Sequence, residues 1–221
     1  MRAAGQAGFR QGRGTPDNAF VLHHVIEKYR SNKKPVFAAF IDFRKAYDSV
    51  ERPVLWECLR SLGVHGRFLG ILEAMYREVH LQVRADGVLG EPFESWVGVK
   101  QGDPLSPLLF GLFIDRLEGF LRDQLPLVGV HVSHLLLQIL LYADDLVLLA
   151  ESASDLQQSL DALKLFCDLT GMQVNVKKSE AVIFNRPFAR RGAHKLYYQG
   201  VDLEVKDLFV YLGMLFESVG G

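Results

Sequence analysis

Leu135-Leu136-Leu137-Gln138-Ile139-Leu140-Leu141-Tyr142-Ala143-Asp144-Asp145-Leu146-Val147-Leu148-Leu149-Ala150 is the stretch that decides the fold. It is apolar on both sides of an adjacent acid pair. A continuous strand alternates its side chains between two faces, so it would push one of the two carboxylates into the core. A hairpin with Tyr142-Ala143-Asp144-Asp145 at its tip avoids burying a charge. Both acids then stand at the edge of the core, reachable from solvent. The stretch is shorter than a bilayer requires and holds Gln138 and two carboxylates, which excludes a transmembrane reading.

Val36 to Phe43 is a second β-rich apolar run, long enough for a buried strand, with Asp42 near its end. If this strand neighbours the hairpin, Asp42, Asp144 and Asp145 meet at one edge of the sheet. Three carboxylates on rigid, converging elements suit phosphoryl transfer, which asks the protein mainly to place cations between attacking and leaving oxygens. Magnesium takes oxygen ligands and keeps several waters, so two or three carboxylates suffice. A bland reading stands beside this one. A strand-end aspartate commonly caps a helix or orders a turn, and acid pairs are frequent in turns. Like charges packed beside so much apolar surface do repel unless a cation joins them.

Outward from these runs the chain alternates helices and strands. Thr15-Pro16-Asp17 opens a helix that runs to Tyr29, with Thr15 as its expected cap. Pro53 starts another, closed by Gly63, and Gly66 to Glu78 forms a third. Leu81 to Ala85 and Val88 to Trp96 read as a hairpin with Asp86-Gly87 near its turn. Ser106-Pro107 predicts a capped helix through Leu117 to about Arg122. Ser154 is the expected cap of a helix to Leu169, stopped by Gly171. Short strands are expected around 181–184, 195–199 and 208–215. The order is mixed and predicts an α+β fold with largely antiparallel pairing.

The 221 residues are enough for a real core, and 49% apolar with 23% charged residues argues against wholesale disorder. Cys58 and Cys167 lie far apart in helical segments and do not suggest a disulfide framework, so a reducing, intracellular compartment is the default. No N-terminal apolar run resembles a signal peptide. Net charge is −1, but residues 1–34 carry +5 and residues 171–206 carry +4, which leaves −10 for the rest. Two basic segments flanking an acidic middle suit a protein that grips a polyanion and binds metal at its centre. Ordinary clustering on solvated faces explains the same charges.

Five blocks carry a resemblance. Phe40-Ile41-Asp42-Phe43-Arg44-Lys45-Ala46-Tyr47-Asp48-Ser49-Val50 resembles motif A of reverse transcriptases, and Gln101-Gly102-Asp103-Pro104-Leu105-Ser106-Pro107 resembles motif B. Tyr142-Ala143-Asp144-Asp145 resembles motif C, Asn175-Val176-Lys177-Lys178-Ser179 the end of motif D, and Phe209-Val210-Tyr211-Leu212-Gly213 the primer-grip turn of motif E. Gln6-Ala7-Gly8-Phe9-Arg10 with Gly12-Arg13 is similar to the segment preceding motif A in non-LTR retrotransposon and group II intron enzymes. The blocks stand in the family's order across nearly the whole chain.

The resemblance implies an RNA-directed DNA polymerase of LINE type. Its fold would be a right-handed-polymerase palm, an antiparallel sheet backed by helices, with part of the fingers. Residues 1–34 would be a partial fingers segment. Residues 35–221 would be palm, with a fingers-like insertion around 66–97. The upstream fingers strands and the thumb fall outside the expected span. Asp42, Asp144 and Asp145 would hold two Mg2+ ions, with Mn2+ as a substitute and the backbone carbonyl of Phe43 as a further ligand. The ions would activate a primer 3′-hydroxyl and neutralise the leaving pyrophosphate.

Tyr47 takes the position of the steric gate against a 2′-hydroxyl. Gln101, Gly102, Lys177 and Lys178 are implied contacts of the incoming deoxynucleotide, while Asp103 and Ser106 would order the turn. Arg10, Arg13, Tyr142, Tyr211, Leu212 and Gly213 are implied contacts of RNA template or DNA primer. Flanking fingers and thumb segments would be required partners, and nuclear action is implied by the LINE-type likeness alone. Ala143 and Tyr47 argue against a viral RNA-directed RNA polymerase. A group II intron maturase and a non-catalytic remnant that only binds nucleic acid or a partner stay open.

Overall fold

The computed structural model describes residues 5–185 and 194–218. Part of the second basic segment, residues 186–193, lies outside them.

The sheet grows from one strand. β1 (Val36–Ile41) is buried at every residue, which its unbroken apolar sequence requires of a strand covered on both faces. β9 (Asp145–Ala150) and β10 (Glu180–Phe184) pair with it antiparallel on either side. β8 (Ile139–Tyr142) adds beside β9, and β12 (Val201–Lys206) runs parallel beside β10 with β11 (Leu196–Tyr198) outside it. The six-stranded order is β11-β12-β10-β1-β9-β8. The hairpin expected at Tyr142–Asp145 is present, with Tyr142 paired directly to Asp145.

Alternation along β1 divides the core. Phe37, Ala39 and Ile41 face a layer of helices: α2 (Arg52–Ser61), α4 (Ser106–Ile114), α5 (Arg116–Gln124) and α6 (Ala153–Thr170). Val36, Ala38 and Phe40 face α1 (Thr15–Ser31) and the hairpin of β13 (Leu208–Tyr211) and β14 (Met214–Glu217). Fully burying one large apolar side chain contributes roughly 1.5–3 kcal/mol, so both layers hold the central strand firmly. α1 is one layer of this core.

Several local expectations are corrected. The N-cap of α1 is Gly14, not Thr15; the Gly14 N–H donates to Asp17 Oδ2 at 2.6 Å. The cap of α6 is Ser152, not Ser154, and its Oγ accepts the Asp155 N–H at 3.1 Å. At α6 a serine two positions earlier in the chain reaches the free amide first, while at α1 the Asp17 carboxylate reaches back to the Gly14 N–H. Ser106 lies inside α4, capped by Leu105, and the helix is interrupted at Asp115, where the backbone stays helical. The run 208–215 is a hairpin turning at Leu212-Gly213, both at positive φ, and β12 was not anticipated.

Between α3 (Gly66–Met75) and α4 a small ribbon projects. Its pairs are β2 (His80–Leu81) with β5 (Phe93–Glu94), and β3 (Arg84–Ala85) with β4 (Val88–Leu89). Asp86 and Gly87, both at positive φ, make the turn read from the sequence. A short pair, β6 (Val130–Val132) with β7 (Leu135–Leu137), precedes β8. No helix among the described residues is long and apolar enough to cross a membrane.

Candidate active site

Register brings the three acids together. β1 pairs with β9 so that Ile41 faces Leu146. The next residue, Asp42, therefore falls opposite Asp145 at the same end of the sheet. Ala143 and Asp144 form the two-residue connection between β8 and β9, with Ala143 at φ 55. Asp42 and Asp144 are half-buried and Asp145 is open to solvent.

The acids feel one another. The Asp145 carboxyl is pushed above its ordinary value by partial desolvation against the apolar strands, then by the charges of Asp144 and Asp42. Repulsion of this kind is relieved when a cation enters. Among the described residues no three His, Cys, Asp or Glu side chains are gathered into a ready-made metal cage. The donor set still fits a hard divalent cation: oxygen ligands, mutual repulsion, and solvent access for the waters such an ion keeps.

Backbone clamps fix Asp42. Its N–H donates to Ser179 Oγ at 3.0 Å, and its carbonyl accepts the Asn175 N–H at 2.7 Å. Phe43, with its ring buried, makes an antiparallel bridge to Val174, and the Arg44 N–H donates to the Gln173 carbonyl at 2.8 Å. An open cleft beside Asp42 is lined by Lys45, Asp48, Asn175 and Lys178. Lys178 lines this cleft and Lys177 does not. A wider apolar groove between α2, α5 and α6, lined by Trp56, Phe120 and Phe166, holds none of the acids.

Tyr47 stands over this site. Its ring stacks on Phe110 with centroids 4.5 Å apart, and burial followed by the charge of Asp144 raises its hydroxyl to about 12. The Tyr47 carbonyl accepts the Val99 N–H at 2.9 Å, and Gln101 Nε2 donates to Asp48 Oδ1 at 3.0 Å. Gln101 and Gly102 are exposed, and Gly102 has φ 85. Asp103 orders the turn as anticipated: its Oδ1 accepts the Leu105 N–H at 2.8 Å.

The remaining expected contacts scatter. Tyr142 is half-buried beside the turn, Arg13 is exposed, and Arg10 donates from Nη1 to the Gln6 carbonyl at 3.0 Å. Leu212 is half-buried and Gly213 exposed at the β13–β14 turn. The Tyr211 ring is buried against Phe40, 5.7 Å between centroids, and packs under the sheet. Burial, and then the charge of Asp145, push its hydroxyl well up.

Sequence reasoning missed three supports. Phe110 is the platform under Tyr47. Gln6 is buried against Ala143. Arg52 is buried and donates to four carbonyls: Nε to Gly98 at 3.0 Å, Nη1 to Tyr76 and Ser95 at 2.9 and 2.7 Å, and Nη2 to Val97 at 3.1 Å. In the sequence Arg52 reads as an ordinary charged residue before a helix-starting proline. Its partners come from segments 24 to 46 positions away, which no local pattern reveals.

Comparison with known proteins fits this geometry. The family described as reverse transcriptase (RNA-dependent DNA polymerase) matches residues 3–216. The chain is 32% identical over 222 residues to the "Retrovirus-related Pol polyprotein from type-2 retrotransposable element R2DM" of Drosophila melanogaster, covering 97% of this chain and 21% of that protein. It is 28% identical over 218 residues to the type-1 element R2 polyprotein of Popillia japonica, covering 94% of this chain and 35% of that one. To the RNA-directed DNA polymerase from mobile element jockey of D. melanogaster it is 29% identical over 224 residues, covering 92% and 23%. The chain thus spans about a fifth to a third of these relatives. Among solved structures, apo telomerase from Candida tropicalis truncated from its C-terminal domain aligns with TM-score 0.61 at 14% identity, covering 96% of this chain and 41% of that one. That likeness is one of fold, a reverse-transcriptase palm-like α+β arrangement.

Proposed function

The chain belongs to the reverse transcriptase family, a family whose chemistry uses divalent metal ions, and from that premise we propose that its described edge is a nucleotidyl-transfer site of a LINE-type RNA-directed DNA polymerase. The observation that carries the reading is the convergence of Asp42, Asp144 and Asp145 at one end of β1, β8 and β9, with Asp145 raised by burial and then by the other two.

On this reading the three carboxylates and the Phe43 carbonyl would hold two Mg2+ ions, which would make the primer hydroxyl a better nucleophile and neutralise charge on the leaving group. Asp42 contributes from a strand end fixed by Ser179 and Asn175, so its reach is set by backbone clamps. Tyr47, held flat by Phe110, faces the nucleotide sugar and excludes a 2′-hydroxyl. Lys178 meets the triphosphate from the cleft beside Asp42, in preference to Lys177. Gln101 and Gly102 line the nascent base pair, where a glycine lets backbone approach closely.

RNA template and DNA primer pass over the same edge, touched by Tyr142, Arg10, Arg13, Leu212 and Gly213. Residues before 35 and the projection around 66–97 are the chain's share of the fingers, with α1 also serving the palm as a layer. The likeness to R2 and jockey elements supports action in the nucleus.

The test is duplex binding beside primer extension in the parent and in Asp42→Asn. The reading expects extension to vanish in the variant while duplex affinity changes by less than about threefold, because phosphate contacts supply that affinity. Duplex binding with no extension by the folded parent would favour a non-catalytic remnant.

A further inference from the structure

We propose that Gln6 is a positioning residue for the turn that carries Asp144 and Asp145, and that Gly8 is the contact that seats it. The inference rests on the polymerase reading for its consequence, and on geometry of its own for the clamp.

Residues 5–7 lie along the free edge of β8 like a further short strand. The Leu141 N–H donates to the Gly5 carbonyl at 2.9 Å, and the Ala7 N–H donates to the Leu141 carbonyl at 2.8 Å. Gln6 bridges Leu141 in parallel register. Its side chain is buried, with 1% of its surface exposed. Oε1 accepts from the Ala143 N–H at 3.1 Å and from the Gly8 N–H at 2.7 Å. Nε2 donates to the Ala143 carbonyl at 3.5 Å. One carboxamide therefore holds both polar backbone groups of the residue between Tyr142 and Asp144.

Ala143 needs such a hold. It sits at φ 55, where a residue with a Cβ is strained and persists only if its surroundings fix it. Its neighbours on the C-terminal side are two carboxylates that repel, so the turn is under electrostatic load whenever the cation is absent. A buried amide that meets both backbone groups of Ala143, at 3.1 and 3.5 Å, restrains the turn. A leucine in its place would leave the Ala143 amide without its acceptor.

Gly8 supplies the second observation. A Cβ built there would stand 2.2 Å from the Ala143 nitrogen and 3.0 Å from Gln6 Oε1. Backbone meets backbone at that point, so a side chain could only enter by moving the turn. The segment then continues to Arg10, whose guanidinium holds the Gln6 carbonyl at 3.0 Å. The stretch resembling the block before motif A thus reaches the acids through one amide and one missing side chain.

The experiment compares the parent, Gln6→Leu and Gly8→Ala. Hydrogen exchange at the Ala143 amide reads the clamp directly, and steady-state primer extension reads its consequence. The clamp predicts Ala143 exchange about tenfold faster in Gln6→Leu, the size expected for one lost buried hydrogen bond. Leu148, deep in the same hairpin, should exchange as in the parent. It also predicts a lower kcat with unchanged KM for the primer–template duplex in both variants. Unchanged Ala143 exchange in a folded Gln6→Leu chain would overturn the proposal, as would faster exchange spread evenly over the sheet. A parent that folds without extending primers would count against the polymerase reading alone, because the Ala143 exchange still reports the clamp.

Discussion

Tyr47 lies flat against Phe110, with ring centroids 4.5 Å apart and 18° between the planes. The pair joins the loop after β1 to the helix after Gln101-Gly102, so one aromatic stack links two blocks that are far apart in sequence. Phe110 is fully buried, and Tyr47 is half-exposed beside Asp144. On the proposed reading, this backing holds the ring against the nucleotide sugar.

Replacing Tyr47 by valine should therefore relax sugar choice. Incorporation of ribonucleotides relative to deoxynucleotides is expected to rise by at least about tenfold, the scale of a removed steric contact in a pocket. Phe110→Ala should relax it too, and should also destabilise the fold by about 3–5 kcal/mol through loss of a buried ring. Competition between the two nucleotide types in single-turnover extension checks the first, and chemical denaturation the second.

Arg52 offers a stability prediction. Its guanidinium satisfies carbonyls of Tyr76, Ser95, Val97 and Gly98, and lies 5.4 Å from the centre of the Tyr76 ring. Arg52→Met should destabilise the chain by about 3 kcal/mol, because four carbonyls, buried or partly buried, lose their donor together. Arg52→Lys should recover only part of this, since an ammonium cannot reproduce the planar fork. Urea unfolding of both variants measures the difference.

Gly98 sits where that network meets the loop after β1. A Cβ there would stand 2.8 Å from the Asp48 carbonyl oxygen, and the residue has φ 83. Gly98→Ala should push Asp48 away and break the Gln101–Asp48 bond at 3.0 Å. The expected signature is a higher KM for deoxynucleotide, with duplex affinity unchanged in a binding titration.

At the opposite end of β9, Glu151 accepts from the Tyr29 hydroxyl at 2.5 Å and pairs with His131 Nδ1 at 3.2 Å. Partial burial works against its charge, but the bonds from Tyr29 and His131 outweigh it, so the carboxyl lies below its ordinary value. A depressed carboxyl contributes stability above its unfolded value, and that stability is lost as pH falls through the folded value. Tyr29→Phe should destabilise the chain by about 1 kcal/mol at neutral pH, allowing for solvent screening. The gap should narrow as pH falls through the depressed folded value of the carboxyl, below which it is protonated in both states. Urea unfolding across this range supplies the comparison.

The acidic edge was legible because burial and charge conflict there. Asp144-Asp145 between apolar runs admits few arrangements, and a hairpin tip is the one the chain adopts. Asp42 was legible for the same reason, as the first acid after six apolar residues. Gly171 at φ 76 and Asp86-Gly87 were legible because so few residues tolerate those conformations. The caps were misplaced by one or two residues, since Ser152 and Ser154 are equally plausible acceptors and Gly14 caps α1 with no side-chain signal at all. Gln6, Arg52 and the burial of Tyr211 were not legible. Their roles come from partners more than 20 positions away, and a polar or aromatic side chain does not announce which distant backbone it will meet.

The most direct measurement is primer extension on an RNA template with Mg2+ and deoxynucleotides, by the chain and by a form carrying any contiguous coding sequence, each beside its Asp144→Asn, Asp145→Asn variant. The account predicts extension that disappears in the double variant while duplex binding persists. Extension that survives loss of both carboxylates, or a folded chain that binds duplex in both forms and never extends it, would contradict it.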